Sequence, residues 1–427
     1  MIKKILANNE SLRYILSKGG MSFVLRMFGM ALSFIAMWVM TNFYGEAVYG
    51  MFSLALTILQ IIGAFFGLGL PNAFIGFTGA FSDQSQTKGL FLKSAKLALL
   101  SSIVPITVFA VGSGFIAHYV FEKDDLYSYL FIIAMGAPCI IVHEILCYYF
   151  MSIKKIITYG LFIFIMPNVF FITSVLVLHY NNAAGHFTFL AYVLSWLFTI
   201  FIGLFIIFKD GAKVIYPQLK GRDILKQSFP MMMSGIFLLL LNWTDMLMLG
   251  RYADESSIGI YNAAFRIGYL VLFFVVSMNV VIMPKISELY HQKNTVELRK
   301  VVNRSTQVVI ALTLPLALVL IVFSKFILGL NGDGFEAGST TLILITLGGL
   351  FNAMTGNVDQ ILNMTSNQKS VSVIFFIGFV LNVILNLFLI PAYGIEGAAA
   401  SSLISNVFVN TIFVVYIKRK LGFYTFI

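Results

Sequence analysis

Five charged residues stand inside otherwise apolar stretches of this chain: Arg26, Glu144, Asp245, Arg266 and Asp359. Each is costly where it sits. An arginine at the centre of a membrane helix costs roughly 2.5–3.5 kcal/mol on insertion scales, so such residues face protein or a wet cavity. Arginine suits phosphate, because its planar, permanently charged fork grips oxygens in pairs. The carboxylates suit an ion or a proton.

Helical spacing shows which neighbours share a face with each charge. Gly19, Ser22, Gly29 and Ser33 accompany Arg26, while Leu25, Met27, Phe28 and Leu32 lie opposite. Asp359 has the strongest stripe, with Asn352, Thr355, Gly356, Asn363 and Ser366. Asn242 precedes Asp245 by one turn, and Asn262 and Gly259 share the Arg266 face. Glu144 has Cys147 and Tyr148 nearby, and Asn382 and Asn386 stand one turn apart in another apolar segment. Arg26 and Arg266 are therefore candidate anion contacts. Asp359, Glu144, Asp245, Asn352, Asn382 and Asn386 are candidate cavity-lining or ion-coupling groups. The competing expectation is that these groups form ion pairs and hydrogen bonds that hold a bundle together. For Asp245 and Arg266, both toward the outer ends of adjacent segments, the two expectations stand level.

The elements that must position these residues follow from composition. Of 427 residues, 59% are hydrophobic and 11% charged. A soluble domain carries about 25% charged residues, so most of this surface must face lipid. Apolar runs of about 20 residues mark membrane helices. They fall near residues 17–42, 46–69, 90–117, 126–152, 156–179, 186–208, 225–250, 257–284, 300–328, 337–364, 369–391 and 396–417. The expected fold is an all-α polytopic membrane protein with 12 transmembrane helices. Of 28 lysines and arginines, only Lys123, Arg251 and Lys325 fall on the outer side when the N-terminus is inside. The positive-inside rule then places both termini in the cytoplasm. The net charge of +10 is thus a topology signal, and nucleic acid is not needed to explain it. The basic N-terminal stretch lacks the short apolar core of a removable signal peptide.

The chain also repeats. "VYGMFSLA" (Val48–Ala55) aligns with "SIGIYNAA" (Ser257–Ala264) when Gly50 is set on Gly259, an offset of 209 residues. Similar offsets place "KKIITYG" beside "QKSVSVI" and "GHFTFLAYVLS" beside "GIEGAAASSLIS". The expected organisation is an N-terminal six-helix lobe (1–208), a cytoplasmic linker (209–224) and a C-terminal six-helix lobe (225–427). Six is even, so the lobes insert the same way up, around a central cavity. A cavity within one chain predicts a monomer. "FPMMMSG" and "FGLGLPN" read as hinges, since prolines and glycines loosen membrane helices.

Other motifs carry little. "HEILC" (His143–Cys147) opens like a zinc-protease signature but lacks its second histidine. No P-loop, GxSxG or dinucleotide fingerprint occurs, so an enzyme is not expected. Cys139 and Cys147, eight residues apart on a helix, stand about 12 Å apart, too far for a disulfide.

Several strings carry a family resemblance. "KGGMSFVLRMFGMALSF", "EAVYGMFSLA" and "FGLGLPNAFIGF" resemble the first two spans of the bacterial polysaccharide-repeat flippases, the O-antigen and capsule exporters. "LKQSFPMMMSGIFLLLLNWTDMLMLGRYADESSIGIYNAAFRI" resembles the start of their second lobe, and "LNVILNLFLIPAYGIEGAAASSLIS" their last two spans. These strings also mark the larger multidrug/oligosaccharidyl-lipid/polysaccharide exporter superfamily. The resemblance implies alternating access that moves an oligosaccharide on undecaprenyl pyrophosphate to the outer leaflet of the bacterial inner membrane. It implies a coupling Na+ or H+ and no other cofactor. The partners it implies are lipid-linked oligosaccharide, membrane lipids, and polysaccharide polymerase and assembly proteins. Arg26, Asp245 and Arg266 match charged positions of the family. Asn42, and the stretch near Gly76, stand where relatives often carry arginine, so the cationic lining is thinner here.

Two other functions compete. A cation-coupled multidrug exporter of the same superfamily would use Glu144, Asp359 and the 15% aromatic content, but has no use for Arg26. A non-transporting membrane subunit of a glycan-assembly complex would not need the polar stripe around Asp359.

Overall fold

The computed structural model describes residues 10–78, 81, 83–209 and 213–426; the basic residues 1–9 and residues 210–212 of the linker lie outside it. The described residues form helices and no strand. Nine helices among them are long and apolar enough to cross a membrane, and the chain is a multi-pass membrane protein.

In order the helices are α1 (Glu10–Phe66), α2 (Leu70–Thr78), α3 (Gln84–Phe115), α4 (Leu126–Ser152), α5 (Ile156–Gly160), α6 (Met166–Tyr180), α7 (His186–Phe208) and α8 (Gly221–Tyr252). Then come α9 (Glu255–Gly268), α10 (Phe273–His291), α11 (Thr295–Val322), α12 (Ser324–Gly329), α13 (Ser339–Thr355), α14 (Val358–Met364) and α15 (Gln368–Leu421). A π turn, Leu161–Ile165, joins α5 to α6. A 3-10 turn, Tyr269–Leu272, joins α9 to α10.

Two helices far exceed a bilayer, with 57 residues in α1 and 54 in α15. Each contains one non-helical glycine that breaks it: Gly45 (φ 78°) and Gly394 (φ 57°). Left-handed backbone is open to glycine because it has no Cβ. "FGLGLPN" is a true break, with Leu68 and Gly69 both at positive φ. "FPMMMSG" instead lies within α8.

The chain divides into two compact units. The first comprises residues 1–44 and 58–233. Its centre is α4, which packs on α2, α3 and α7. Ile133, Ala137, Ile141, Ile145 and Leu146 of α4 are fully buried. In this unit the linker lies along α3. The Ile215 N–H donates to the Ser85 carbonyl at 3.1 Å, and Lys93 Nζ donates to the carbonyls of Pro217 (2.6 Å) and Leu219 (3.0 Å).

The second unit comprises residues 45–57 and 234–427. Its core joins Leu241, Ile286, Leu298, Val358, Phe413 and Ile417. The two repeat strings meet inside this unit. A Cβ on Gly50 would collide with the Glu255 carbonyl, and a Cβ on Gly259 with the Glu46 carbonyl. Glu46 and Glu255 are themselves 209 residues apart. The crossing is therefore reciprocal: each glycine receives the backbone of the other string, as small residues do wherever membrane helices approach closely. Tyr49 seals it, donating to Asn262 Oδ1 at 2.8 Å.

The segment expected as one helix over 337–364 is cut. α13 ends at Thr355, Gly356 takes φ 79°, and α14 starts at Val358. The polar stripe around Asp359 thus spans two helices, with Asn352 on one and Asp359 on the other. A broken membrane helix frees backbone groups that neighbours must satisfy. Here Thr425 Oγ1, fully buried, donates to the Thr355 carbonyl, and Thr355 Oγ1 donates to Asn410 Oδ1 at 3.3 Å.

Candidate functional site

The candidate residues gather into two groups, one in each unit. In the second unit Asp245 on α8 is 1% exposed, and Asn382 and Asn386 on α15 are 0% exposed. Asn386 Nδ2 donates to Asp245 Oδ1 at 2.7 Å and Asn382 Nδ2 to the same oxygen at 3.0 Å. Tyr261 on α9 donates its hydroxyl to Asp245 Oδ2 at 2.7 Å, and Ser402 Oγ donates to Oδ2 as well. Four donors from two helices, α9 and α15, thus meet one carboxylate on α8. Such a knot offsets the several kcal/mol that burying a charge costs, since hydrogen bonds to an ionised acceptor are the strong ones. Asn386 Nδ2 also donates to Asn382 Oδ1 at 3.0 Å, while Asn386 Oδ1 is buried with no hydrogen-bond partner. An orphaned buried oxygen calls for an explanation. Among the described residues no three His, Cys, Asp or Glu side chains gather into a metal site.

Tyr261 also begins an aromatic ladder. It stacks on Phe265 at 6.2 Å, and Phe265 meets Tyr269 at 5.4 Å. Tyr269 lies in electrostatic reach of Asp359. Asp359 is half-buried and accepts from Gln360 Nε2 at 2.9 Å. Asn352 is half-buried on α13, and its carbonyl accepts from Thr355 Oγ1. Neither Asp359 nor Asn352 belongs to the hydrogen-bond network of Asp245. Arg266 is half-buried on α9 and acts electrostatically on Tyr49.

In the first unit the side chain of Arg26 on α1 is exposed. Its guanidinium carbon sits 5.6 Å from the centroid of Phe164, a contact worth about 0.5–1 kcal/mol at an exposed site. A cation over a ring face still keeps N–H donors for other acceptors, since guanidinium carries five. Close approach makes this possible: a Cβ on Gly29 would collide with Phe164, and a Cβ on Gly160 with Leu25. Phe164 lies in the π turn, a wider coil common at functional sites. His143 Nε2 meets the Phe162 carbonyl of that turn at 3.2 Å, so Nε2 carries the proton; "HEILC" contributes a packing histidine. From Phe164 a second ladder runs edge-to-face to Tyr159 (6.1 Å) and on to Tyr148 (6.3 Å). Glu144, one turn before Tyr148 on α4, and Arg26 both act electrostatically on Tyr159. Cys139 and Cys147 are free thiols.

The structure therefore brings together Asp245, Asn382 and Asn386 in one group and Arg26 and Glu144 in another. Tyr261, Ser402, Tyr159 and Phe164 are the residues that helical spacing misses. For the first group the sequence offers two signals, Asp245 as an acid in an apolar run and Asn382 and Asn386 one turn apart.

The model of the polysaccharide biosynthesis protein family, Polysacc_synt, matches residues 15–290, and that of MatE matches residues 230–388. The probable low-salt glycan biosynthesis flippase Agl15 of Haloferax volcanii is 24% identical over 51% of this chain and 47% of its own length; the match thus spans about half of that relative. Among solved structures, an inward-facing multidrug resistance MATE family transporter of the MOP superfamily superimposes with a TM-score of 0.77, at 14% identity over 92% of this chain and 94% of that one. The lipid II flippase MurJ, in an inward closed conformation, superimposes with a TM-score of 0.74, at 18% identity over 93% and 87%. The fold is that of the MOP superfamily.

Proposed function

From the premise that this chain belongs to the polysaccharide biosynthesis protein family, we propose that it is a flippase for polyprenyl-pyrophosphate-linked oligosaccharide. It carries the repeat unit on undecaprenyl pyrophosphate from the cytoplasmic to the outer leaflet by alternating access. The observation that carries this is Arg26: an exposed guanidinium on an apolar helix, its carbon 5.6 Å from the centroid of the Phe164 ring. A pyrophosphate head group crossing a bilayer needs such a partner, and the fork binds its oxygens two at a time. Arg266 is the corresponding contact in the second unit. On this reading the chain crosses the cytoplasmic membrane twelve times with both termini inside, and it acts as a monomer; the breaks at Gly45 and Gly394 support that count.

Asp245, Asn382, Asn386 and Ser402 are the residues that would hold a coupling Na+ or H+. A bound cation supplies there the positive charge that the buried carboxylate lacks. The chain's own part is to collect four donors and one unpartnered amide oxygen around a carboxylate sealed from water. Asp359 and Glu144 are the further coupling candidates.

The test is transbilayer movement of a pyrophosphate-linked oligosaccharide lipid in proteoliposomes, with wild type and Arg26→Ala side by side. Movement by wild type and its loss in a folded Arg26→Ala protein is the expected result. Equal movement by both would make Arg26 structural. No movement of any glycan lipid, together with uptake of an organic cation, would transfer the protein to the drug exporters.

A further inference from the structure

The aromatic ladder of the first unit has a shape and chemistry that the pyrophosphate contact does not use. It starts at Arg26, crosses Phe164 and Tyr159 and reaches Tyr148, with ring spacings of 5.6, 6.1 and 6.3 Å. Glu144 stands one helical turn before Tyr148. All the ring contacts are edge-to-face. In that arrangement each pair hides one ring face and one edge and leaves the other faces open. Phe164, Tyr159, Tyr148 and Glu144 are half-buried and Arg26 is exposed, so the row forms a wall rather than a core. The counterpart ladder of the second unit is built differently: Tyr261 is 2% exposed and its hydroxyl is spent on Asp245.

Aromatic faces beside a carboxylate are what a pyranose ring requires. Its axial C–H face is apolar and packs on a ring, and its vicinal hydroxyls donate to a carboxylate. Tyrosine serves both needs, since it offers an apolar body and a polar tip. We infer that Phe164, Tyr159, Tyr148 and Glu144 form a glycan subsite that holds the first sugars of the cargo, those nearest the pyrophosphate gripped by Arg26. This rests on the flippase reading above and extends it from the head group to the sugar. Specificity then splits in two: Arg26 accepts any pyrophosphate lipid, and the wall admits only those whose first sugars present a flat apolar face and a hydroxyl pair to Glu144.

The experiment measures binding to the full-length purified protein of two probes, polyprenyl pyrophosphate without sugar and the same lipid carrying a disaccharide. Wild type is expected to bind the glycosylated probe about tenfold more tightly, the scale of one or two aromatic contacts. Glu144→Gln, which keeps shape, and Tyr159→Leu are each expected to erase most of that difference. Tyr148→Phe, which keeps the ring, should retain the stacking part. Arg26→Ala should instead weaken both probes in parallel. Equal binding of the two probes by wild type, or a sugar preference that survives both Glu144→Gln and Tyr159→Leu, would overturn the subsite while leaving the pyrophosphate reading intact. A sugar preference that depends on Tyr159, in a protein whose affinity for the bare lipid ignores Arg26→Ala, would uphold the wall and overturn the pyrophosphate contact. Failure to bind either probe would sink both.

Discussion

The two units answer the same problem, a charge inside an apolar helix, in opposite ways. In the second unit Asp245 is 1% exposed and tied by Tyr261, Asn382, Asn386 and Ser402. In the first, Arg26 is exposed and rests on one ring. Each charge begins an aromatic ladder that leads to a second charge. The ladder from Asp245 ends at another acid, Asp359, while the ladder from Arg26 ends beside an acid, Glu144. A sealed carboxylate selects something small, and an open guanidinium beside aromatic faces can meet something large. The two units thus divide the chemistry between them.

The repeat makes the division concrete. The residue 209 positions before Asp245 is Ala36, buried at 6% exposure. The residues 214 positions before Asn382 and Asn386 are Asn168 and Ile172. Asn168 donates to the Phe164 carbonyl at 2.8 Å. At the aligned positions the first unit thus has one asparagine, which supports the π turn, and an alanine in place of the acid. Ala36→Asp breaks the comparison most severely, because the new carboxylate finds no knot of donors. A loss of about 3–5 kcal/mol follows, the scale for an uncompensated buried charge. The melting temperature of the detergent-solubilised protein should fall markedly. An unchanged melt would mean that the first unit can still house an acid.

Asp245→Ala attacks the same knot from the other side. It leaves buried amide and hydroxyl donors without their acceptor, at about 1–3 kcal/mol for each group orphaned. Asp245→Asn is the milder partner, since it keeps an acceptor oxygen. Both should lower gradient-driven lipid movement by roughly 10–100-fold, as loss of a cation's supporting residue does. Transport that responds to a Na+ or pH gradient as strongly in Asp245→Asn as in wild type would remove Asp245 from coupling. Arg26→Lys sharpens the contrast in the first unit. A lysine keeps the charge and loses the two-pronged grip, so affinity for a bare pyrophosphate lipid should drop about tenfold, corresponding to about 1.4 kcal/mol. Binding equal to wild type would show that charge alone suffices there.

How much of this is legible in the sequence depends on distance along the chain. Helix existence and the charges worth naming can be read from composition and spacing, because both are local. Asn382 and Asn386 stand out as a pair one turn apart, and Asp245 stands out as an acid in an apolar run. That they meet cannot be read, since 137 and 141 residues separate them from Asp245. Tyr261 and Ser402 carry no local mark at all among the tyrosines and serines of an aromatic chain. The break at Gly356 has a local cue, a glycine followed by asparagine, but the polar stripe conceals it by continuing in phase through the gap. The π turn at Leu161–Ile165 has no cue, for its sequence is uniformly apolar. The reciprocal crossing of Gly50 and Gly259 lies between these cases: the alignment of the two strings finds both glycines, and only the fold shows that they face one another.

That crossing predicts a smaller effect, one that tests how tightly the second unit is packed there. Gly259→Ala puts a methyl group against the Glu46 carbonyl. Backbone cannot swing aside as a side chain can, so the helices must part, at about 1–3 kcal/mol. Gly50→Ala should cost a similar amount, and the double substitution less than the sum, since the helices part once for both. A melt that is additive would show that the two contacts are independent.

The smallest effect belongs to the break in the polar stripe. Thr425→Val removes the hydroxyl that serves the carbonyl freed at Thr355, while keeping the side chain's shape. One lost hydrogen bond is worth about 1 kcal/mol in stability, so the melt should move only slightly. Amide exchange near Gly356 should respond more, because the helix is broken there and the Asn357 side-chain oxygen is buried without a hydrogen-bond partner. Asp359 follows two residues later. If exchange rises there while the Asp245 knot stays protected, the two acids at the ends of one ladder belong to parts of the unit that open separately, and only the sealed one can hold an ion through the cycle. If both regions open together, the ladder couples them and Asp359 shares in the coupling.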